Sequence, residues 1–278
     1  TTHGLTFNQK TGVATCSGEV DFQIADSSGQ AVGAEYDSKQ GHLTLQSQIV
    51  LTTTMQNYPA VLRASQALYD RSSGDIHLWQ PQYTSRTQSG TMSGTAGAAT
   101  VLLRANGSVE QLDAQNNVRL HSADGLAVRA PVMHVLLNES NQPKDAYFSG
   151  GVEFAENDPA QKTAGSARET DVEFDARGRA DRVVLDGEVQ IHQQAGAGKS
   201  ELQRTLASNH LVMNLLPTRT GQAQLQSADA TGNAVFTSRA TVPGHAPQQT
   251  TLAAQTLKAS FATGNQLQQS NGAGQTLL

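Results

Sequence analysis

Apolar and polar residues alternate along most of this chain, and this alternation limits its fold more than any other sequence feature. Every second residue is apolar in runs spread along the whole sequence, at 20–24, 43–45, 76–78, 118–120, 152–154 and 189–191. A period of two places one set of side chains on a buried face and the other in water, as in β-strands. Clusters of Gly, Ser and Asp between the runs, such as 27–29 and 176–178, are typical of turns. We therefore expect an all-β chain.

The chain also repeats itself. One half of the repeat reads apolar residue, short turn with Gly or Asn, then Val and a further apolar residue; it occurs at 16–22, 148–154 and 185–191, with looser copies at 112–120 and 225–236. The other half begins with Ala and continues with alternating apolar residues, and its markers are Ala34, Ala64, Ala98, Ala130, Ala167, Ala207 and Ala254. Their mean spacing is (254 − 34)/6, or about 37 residues, and periods of 20–50 residues indicate solenoids, propellers or arrays.

The spacing of the repeats favours an open stack over a closed propeller. It drifts upward from 30 to 47 residues, and the chain has a single Trp and no Trp-Asp pair. We predict an elongated open β-jelly-roll or solenoid of two facing antiparallel sheets, with roughly 20 or more short strands and an apolar slot between the sheets. One continuous stack is expected over residues 1–278, with a candidate subdivision near 85–100, where charges are sparse.

Composition excludes several classes of protein. Lys+Arg 19 and Asp+Glu 24 give a net charge of −5, and without a basic run the chain is a poor nucleic-acid binder. No apolar stretch is long enough for a membrane-spanning helix. The single cysteine, Cys16, rules out internal disulfides and Cys-based zinc clusters, and its apolar strand position predicts a buried small side chain. The chain begins at Thr1 without a signal-like segment, so a targeting or anchoring segment is expected to be missing.

The motifs of the first repeats resemble a known family. Residues 5–12 (LTFNQKTG), 17–20 (SGEV), 33–37 (GAEYD) and 41–45 (GHLTL) resemble the periplasmic lipopolysaccharide-transport proteins of the LptC type, and LDGEV at 185–189 resembles the related OstA and LptA repeat. The resemblance covers nearly the whole chain, which is longer than one typical domain of the family. It implies an open, twisted β-jelly-roll that carries acyl chains along its interior, and edge-to-edge assembly into a bridge across the periplasm.

The leading hypothesis is therefore a periplasmic bridge or adaptor for lipopolysaccharide or a similar amphiphilic lipid. Its acyl chains would lie in the slot against the residues that close each apolar pair: Phe22, Leu45, Leu78, Leu120, Phe154 and Ile191. The resemblance implies two kinds of protein partner: other jelly-roll proteins of the bridge, paired by strand edges, and an inner-membrane complex. The expected location is the periplasm, and the missing segment is expected to be either an anchor in the inner membrane or a cleaved signal. No cofactor and no metal is expected.

Two alternatives compete with the transport hypothesis. A structural or adhesive β-solenoid would have a fully packed interior and no ligand. A polysaccharide-acting enzyme would need paired acids 5–9 Å apart in a cleft. The alternating acids Asp171, Glu173 and Asp175 are instead predicted to share one wet face, where mutual repulsion raises their pKa values a little.

Other catalytic and metal signatures fail. The segment 196–200 resembles the end of a phosphate-binding loop, but the position of the first Gly is Gln193. The eight histidines have no metal-site spacing, and several, such as His77, occupy polar positions of alternating strands, where we expect them to face solvent. The chain is therefore predicted not to be an enzyme.

Overall fold

The computed structural model of this chain describes residues 4–24, 27–55, 58–87, 90–157, 161–197, 200–217, 223–262 and 266–274. All regular structure in these ranges is β, with nineteen strands. The described part contains no helix of the length and apolarity needed to cross a membrane. The all-β prediction is confirmed. Residues 198 and 199 of the loop-like segment and His3 lie outside the described residues.

The chain forms two compact units. Unit 1 comprises Thr1–Asp124 and Val132–Gln142, and unit 2 comprises Gly125–Pro131 and Pro143–Leu278. The candidate subdivision at 85–100 lies inside unit 1. The strands up to the first boundary are β1 (Thr6–Asn8), β2 (Val13–Ile24), β3 (Ser27–Asp37), β4 (His42–Met55), β5 (Tyr58–Ala64), β6 (Gln66–Asp70), β7 (Asp75–Trp79), β8 (Gln82–Thr87), β9 (Gly90–Thr95), β10 (Ala98–Leu103) and β11 (Val109–His121).

The later strands are longer. They are β12 (Leu126–Leu137), which contributes residues to both units, β13 (Pro143–Asn157), β14 (Gln161–Phe174), β15 (Ala180–Ala197), β16 (Ser200–Pro217), β17 (Ala223–Thr241), β18 (Gln248–Ala262) and β19 (Gln266–Ala273). Several therefore exceed the short strands that the sequence predicts. Residues 27–29, expected in a turn, are the start of β3, whereas 176–178 do form a turn between β14 and β15.

Strand pairing in unit 1 is antiparallel and closes a ring of eight strands. Going round the ring, the order is β4, β5, β8, β9, β11, β10, β7, β6 and back to β4. The ring closes because β4 is long enough to pair with both β5 and β6, and β11 is long enough to pair with both β9 and β10. We call β6, β7 and β10 branch A, and β5, β8 and β9 branch B. The antiparallel sheets of the prediction are present, and the open jelly-roll stays a prediction.

The breaks between the two branches line up across unit 1. They fall at Ser65, at Gln80–Pro81 and at 96–97, and hydrogen bonds outside the ladders join them. The N–H of Ser65 donates to the carbonyl of Trp79 (2.9 Å), and that of Gln80 donates to Gly97 (2.8 Å). Proline has no N–H to donate, so a ladder cannot run unbroken through Pro81. Branches A and B are therefore separated at one common level across unit 1, which we call its corner.

The strands of unit 2 run through the equivalent corner without a break, as β2, β3 and β4 do in unit 1. From β13 to β19 each strand pairs with the next one along the chain, and the ladders among β13–β18 each shift register near the middle. The shifts coincide with positive φ at Gly150–Gly151, Gly187–Glu188 and Gly232–Asn233. These are β-bulges, which bend a strand by inserting an unpaired residue. The predicted turns of the first half-repeat are therefore bulges inside long strands in this unit.

The bulges also decide which alanine markers are buried. Ala64, Ala130, Ala167 and Ala254 are buried, while Ala34 and Ala98 are half-buried. Ala207 differs from the other markers, because it is exposed and its neighbour Ser208 is buried instead. The reason is the register shift between Ala207 and His210, which changes the phase of alternation at this point. Cys16 is buried, as its apolar position predicts.

Candidate functional site

A row of large apolar side chains crosses the inner face of unit 2 without being fully buried. It follows the cross-strand pairs from β13 to β18, with Gly165 opposite both Phe154 and Ile191. We call it row 2: Phe154, Gly165, Ile191, Leu206, Phe236 and Leu252. The apolar members pack against the buried core but remain half-exposed. Six strands at a spacing of about 4.8 Å give the row a length of about 24 Å.

The core beside row 2 is packed more tightly. On the other side of the bulges, another set of cross-strand neighbours is buried throughout: Phe148, Thr170, Leu185, Leu211, Ala230 and Leu257. Leu185 and Leu211 are each only 1% exposed. The inner face of unit 2 therefore combines a closed strip and a strip that still has apolar surface to bury.

Unit 1 has a matching row that passes through branch B and the strands on either side of it. Row 1 consists of Phe22, Gly29, Leu51, Leu62, Tyr83, Gly94 and Leu120, connected by cross-strand pairs in that order. Its side chains are half-buried except for Gly29, which is buried. The corresponding strip, which passes through branch A and ends in β4 and β11, is buried and rich in alanine: Leu45, Ala67, Leu78, Ala99 and Ala114.

The six predicted slot residues therefore divide into two groups. Phe22, Leu120, Phe154 and Ile191 lie in the half-buried rows, whereas Leu45 and Leu78 lie in the buried strip, 7% and 5% exposed. All six lie on the same side of their strands as the buried core residues. Phe22 and Leu120 are at opposite ends of row 1, while Phe154 and Ile191 are brought together across Gly165.

Glycines in both rows lie under aromatic rings. A Cβ added at Gly29 would lie 2.2 Å from Cζ of Phe22, and one added at Gly165 would lie 2.3 Å from Cζ of Phe154. These distances are far below van der Waals contact, so each ring covers the backbone of the neighbouring strand. A ring over glycine is a known way of filling the gap that a missing side chain leaves in a sheet.

A polar row lies next to row 2 on the same face. It consists of Glu156, Thr163, Gln193, Arg204, Ser238 and Thr250, and each member lies two residues from the member of row 2 on the same strand. Nη1 of Arg204 donates to Oε1 of Gln193 at 3.2 Å. Sequence reasoning missed Arg204, although its position in phase with Leu202 and Leu206 is the signal that places it on the inner face.

A second polar group sits in the buried strip of unit 2. Oγ1 of Thr170 has no hydrogen-bond partner among the described residues, and Thr170 is 7% exposed. The other two buried hydroxyls donate to carbonyl oxygens, Ser85 to Arg86 and Ser208 to His210, each at 3.2 Å. A buried hydroxyl without a partner lowers stability.

Histidines on the outer faces pair with aspartates or hydroxyls of neighbouring strands. His134 lies 2.5 Å from Asp113, and His42 lies 3.5 Å from Asp70. His77, expected to face solvent, is half-buried, with its Nδ1 3.1 Å from the Thr100 hydroxyl. Within the described ranges no three His, Cys, Asp or Glu side chains are grouped to hold a metal ion.

The acidic run of β14 does not behave as one group. Partial burial, followed by repulsion from Glu169 and Glu173, raises the pKa of Asp171. The pKa of Asp175 is instead lowered to about 2, chiefly by the hydrogen bond from the Arg179 side chain, whose Nη2 donates at 2.6 Å. The predicted small rise is therefore wrong for Asp175, because that residue belongs to the turn after β14 and has an arginine partner.

Comparisons with known proteins assign no family to this arrangement. No protein-family model matches the chain, and no curated protein matches it significantly.

Proposed function

We propose that this protein binds the acyl chains of a lipopolysaccharide-type amphiphile against its half-buried apolar rows and passes them on as part of a periplasmic bridge or adaptor. The single observation that carries the proposal is row 2, in which Phe154, Ile191 and Leu206 are half-exposed beside a core that is otherwise closed. The family resemblance of the first repeats adds independent support. The same resemblance supports a periplasmic location as part of the proposal.

The energetics of the rows suit a carrier. Each methylene buried from water contributes about 0.8 kcal/mol, so contact with a few carbons of one acyl chain gives a useful but reversible affinity. A lipid that binds reversibly can move on to the next site. Leu45 and Leu78 have almost no free surface to offer, so we assign acyl contact to the rows rather than to the buried strip.

The strands of each unit fall into two sets, as a jelly-roll that opens along its rows would require. Branches A and B give unit 1 two sets of strands that share only β4 and β11. The bulges of unit 2 divide each long strand into two segments in the same way. In each unit the half-buried row lies on one side of this corner and the buried strip on the other, so an opening along the rows would leave the core intact.

Partners of the bridge would pair with a free strand edge. Residues 256–262 of β18 pair with β19, whereas no strand of the described part pairs with the outer edge of residues 248–254. An unpaired edge offers backbone donors and acceptors to an added strand. Leu252 of row 2 belongs to this segment, so an added strand would lengthen the apolar row as well as the sheet.

Photo-crosslinking distinguishes a lipid-binding row from a packed interior. A photoreactive residue is placed at 154, 191 or 206 in row 2, and at the exposed outward neighbours 153, 190 or 207 as matched controls. After irradiation with lipopolysaccharide, adducts are measured by mass spectrometry. We expect adducts from the first set only.

Equal labelling of both sets, or labelling of neither, would contradict the proposal. A structural or adhesive solenoid without a ligand would then be the better interpretation. An all-β fold and the closed core of unit 2 are compatible with that alternative as well, so the decision depends on the half-buried rows.

A further inference from the structure

We propose that Arg204 is a binding site for the anionic group, carboxylate or phosphate, of an amphiphile whose alkyl chain lies along row 2. This inference rests on the proposed lipid-binding function and goes beyond it, because an apolar slot by itself selects chains by length and shape and not by head group. The geometry that points to it is a guanidinium on the inner apolar face of unit 2.

The face that Arg204 occupies follows from the pairing. Between 201 and 207 the ladders of β16 with β15 and with β17 run without a register shift, so alternate residues lie on the same side. Arg204 is thus on the side of Leu206, a member of row 2, and of Leu202. Its cross-strand neighbours are Gln193 and Ser238.

The guanidinium group has few partners there. Within the described residues its one hydrogen bond goes to the neutral amide of Gln193, and no carboxylate of these residues lies within 4.0 Å of its nitrogens. The nearby Glu201 is on the opposite phase of β16 and accepts from Gln194 and Gln203. Arginine presents five donors in a planar fork, and one bond to Gln193 leaves most of them for a ligand.

The surroundings match an amphiphile with a negatively charged end. Arg204 lies two residues from Leu206, or about 6.6 Å along the strand, so an alkyl chain on row 2 ends within reach of the guanidinium. The hydroxyl of Ser238, directly opposite Arg204 on the next strand, can donate to a further oxygen atom of the anion. The carboxylate of Glu156 lies in the same polar row but three strands away from Arg204. Contact between arginine and a carboxylate or phosphate is charge-assisted and often bidentate. A half-buried location strengthens this contact relative to one in bulk water.

A long arginine can also extend its head group into water while its stem covers apolar surface. That alternative predicts no preference for anionic ligands. The two cases are therefore separated by the charge of the ligand and not by the affinity for the alkyl chain.

The test uses the full chain and three probes with the same alkyl chain: dodecanoate, dodecyl phosphate and the neutral dodecanol. Binding is measured by displacement of a fluorescent alkyl probe at pH 8. The variants are Arg204→Gln, which removes the charge, and Arg204→Lys, which keeps it. Arg239→Gln is the matched control, because Arg239 is exposed on the neighbouring strand and lies opposite Gln203 on the other face.

We expect the wild type to bind at least one of the two anions about tenfold more tightly than dodecanol, a preference that falls with added salt. Arg204→Gln should abolish the preference without weakening dodecanol binding, Arg204→Lys should keep part of it, and Arg239→Gln should leave it unchanged. Because each preference is a ratio within one variant, a change in stability cancels.

Two results would overturn the assignment while the lipid-binding proposal stands. One is a wild type that binds the three probes equally, and the other is an equal effect of Arg204→Gln and Arg239→Gln. Failure of the wild type to bind any of the probes would overturn the proposed function and this inference with it.

Discussion

The two units turn the same corner in different ways. In unit 1 the strands of branches A and B are interrupted at one level, at Ser65, Gln80–Pro81 and 96–97, and separate hydrogen bonds join the breaks. In unit 2, strands of 14–19 residues continue through the corner and bend at bulges such as Gly187–Glu188. Both solutions keep a half-buried apolar row on one side and a buried strip on the other.

The difference determines how each unit responds to a change in side-chain packing. A break leaves two short strands whose side chains can adjust separately, whereas a bulged strand transmits a change in one half to the other. Four of the five largest fully buried side chains, Leu185, Leu211, Val152 and Val189, belong to unit 2. We therefore expect unit 2 to tolerate a change in packing less well than unit 1.

The largest effect should come from the buried strips. Leu211→Ala in unit 2 should lower the free energy of unfolding by about 4 kcal/mol, and Leu78→Ala in unit 1 by about 3 kcal/mol, because Leu78 is slightly more exposed and lies between two small alanines. Urea unfolding followed by circular dichroism measures both. A larger cost for Leu78→Ala would reverse the comparison of the two cores.

A methyl group added under each ring gives the next largest difference. In Gly165→Ala the new Cβ would meet Phe154 at 2.3 Å and the carbonyl oxygen of Gln190 at 2.8 Å, so backbone must move. In Gly29→Ala every close contact is with the ring of Phe22, which can rotate away. We expect costs of about 3 and about 1 kcal/mol, respectively. Equal costs in thermal unfolding would show that Phe22 is held as firmly as Phe154.

Buried hydroxyls should give effects of opposite sign in the two units. Thr170→Val keeps the shape and removes a hydroxyl without a partner, so it should raise the free energy of unfolding by about 1 kcal/mol. Ser85→Ala removes a hydroxyl that donates to the Arg86 carbonyl, so it should lower this free energy by about 0.5–1 kcal/mol. Destabilisation by Thr170→Val would mean that the hydroxyl has a partner in solution, such as an ordered water.

The turns of the two units should lose stability in acid. The folded-state pKa of Asp175 is about 2, below the usual value for aspartate of about 3.9, so its contribution is complete above the usual value and is lost as the pH falls through about 2. Asp175→Asn should therefore destabilise unit 2 at neutral pH and have no effect near pH 1. Asp70→Asn should behave in the same direction in unit 1, where Ser72 lowers the pKa of Asp70. Thermal unfolding over pH 1–7 checks both variants.

The smallest effect is expected on the acidic face of β14. The pKa of Asp171 is raised in the folded state, so the stability that its protonated form provides is lost as the pH rises through that value. Asp171→Asn should then slightly raise the melting temperature at pH 7 and change nothing near pH 2, the opposite of Asp175→Asn. The same sign for both variants would contradict the separate environments of the two carboxylates.

The alternation of apolar and polar residues predicted the strands and which residues of each strand face the core, because a period of two is a local property of the chain. Phe22, Leu45, Leu78, Leu120, Phe154 and Ile191 all lie in phase with the core for this reason. The degree of burial could not be predicted, because it depends on which side of the corner each residue lies. Ala207 shows the same limit, since one bulge reverses which neighbour faces inward.

The polar members of the inner face were harder to predict. A search of the sequence for apolar pairs does not identify Arg204. The leucines two residues before and after it, Leu202 and Leu206, nevertheless indicate that it lies on their side of the strand. Thr170 reads as an ordinary polar strand residue until its cross-strand neighbours Phe148 and Leu185 are known. Both positions are defined by partners on other strands, which a single sequence does not identify.

The order of the strands in unit 2 has a kinetic consequence. From β13 to β19 each strand pairs with the strand made just before it, so every ladder joins segments that are close in the chain. Local pairing of this kind shortens the loops that must close during folding and speeds the search. Unit 2 can therefore fold during synthesis by adding one strand at a time, so that each newly exposed edge is covered by the strand that follows it.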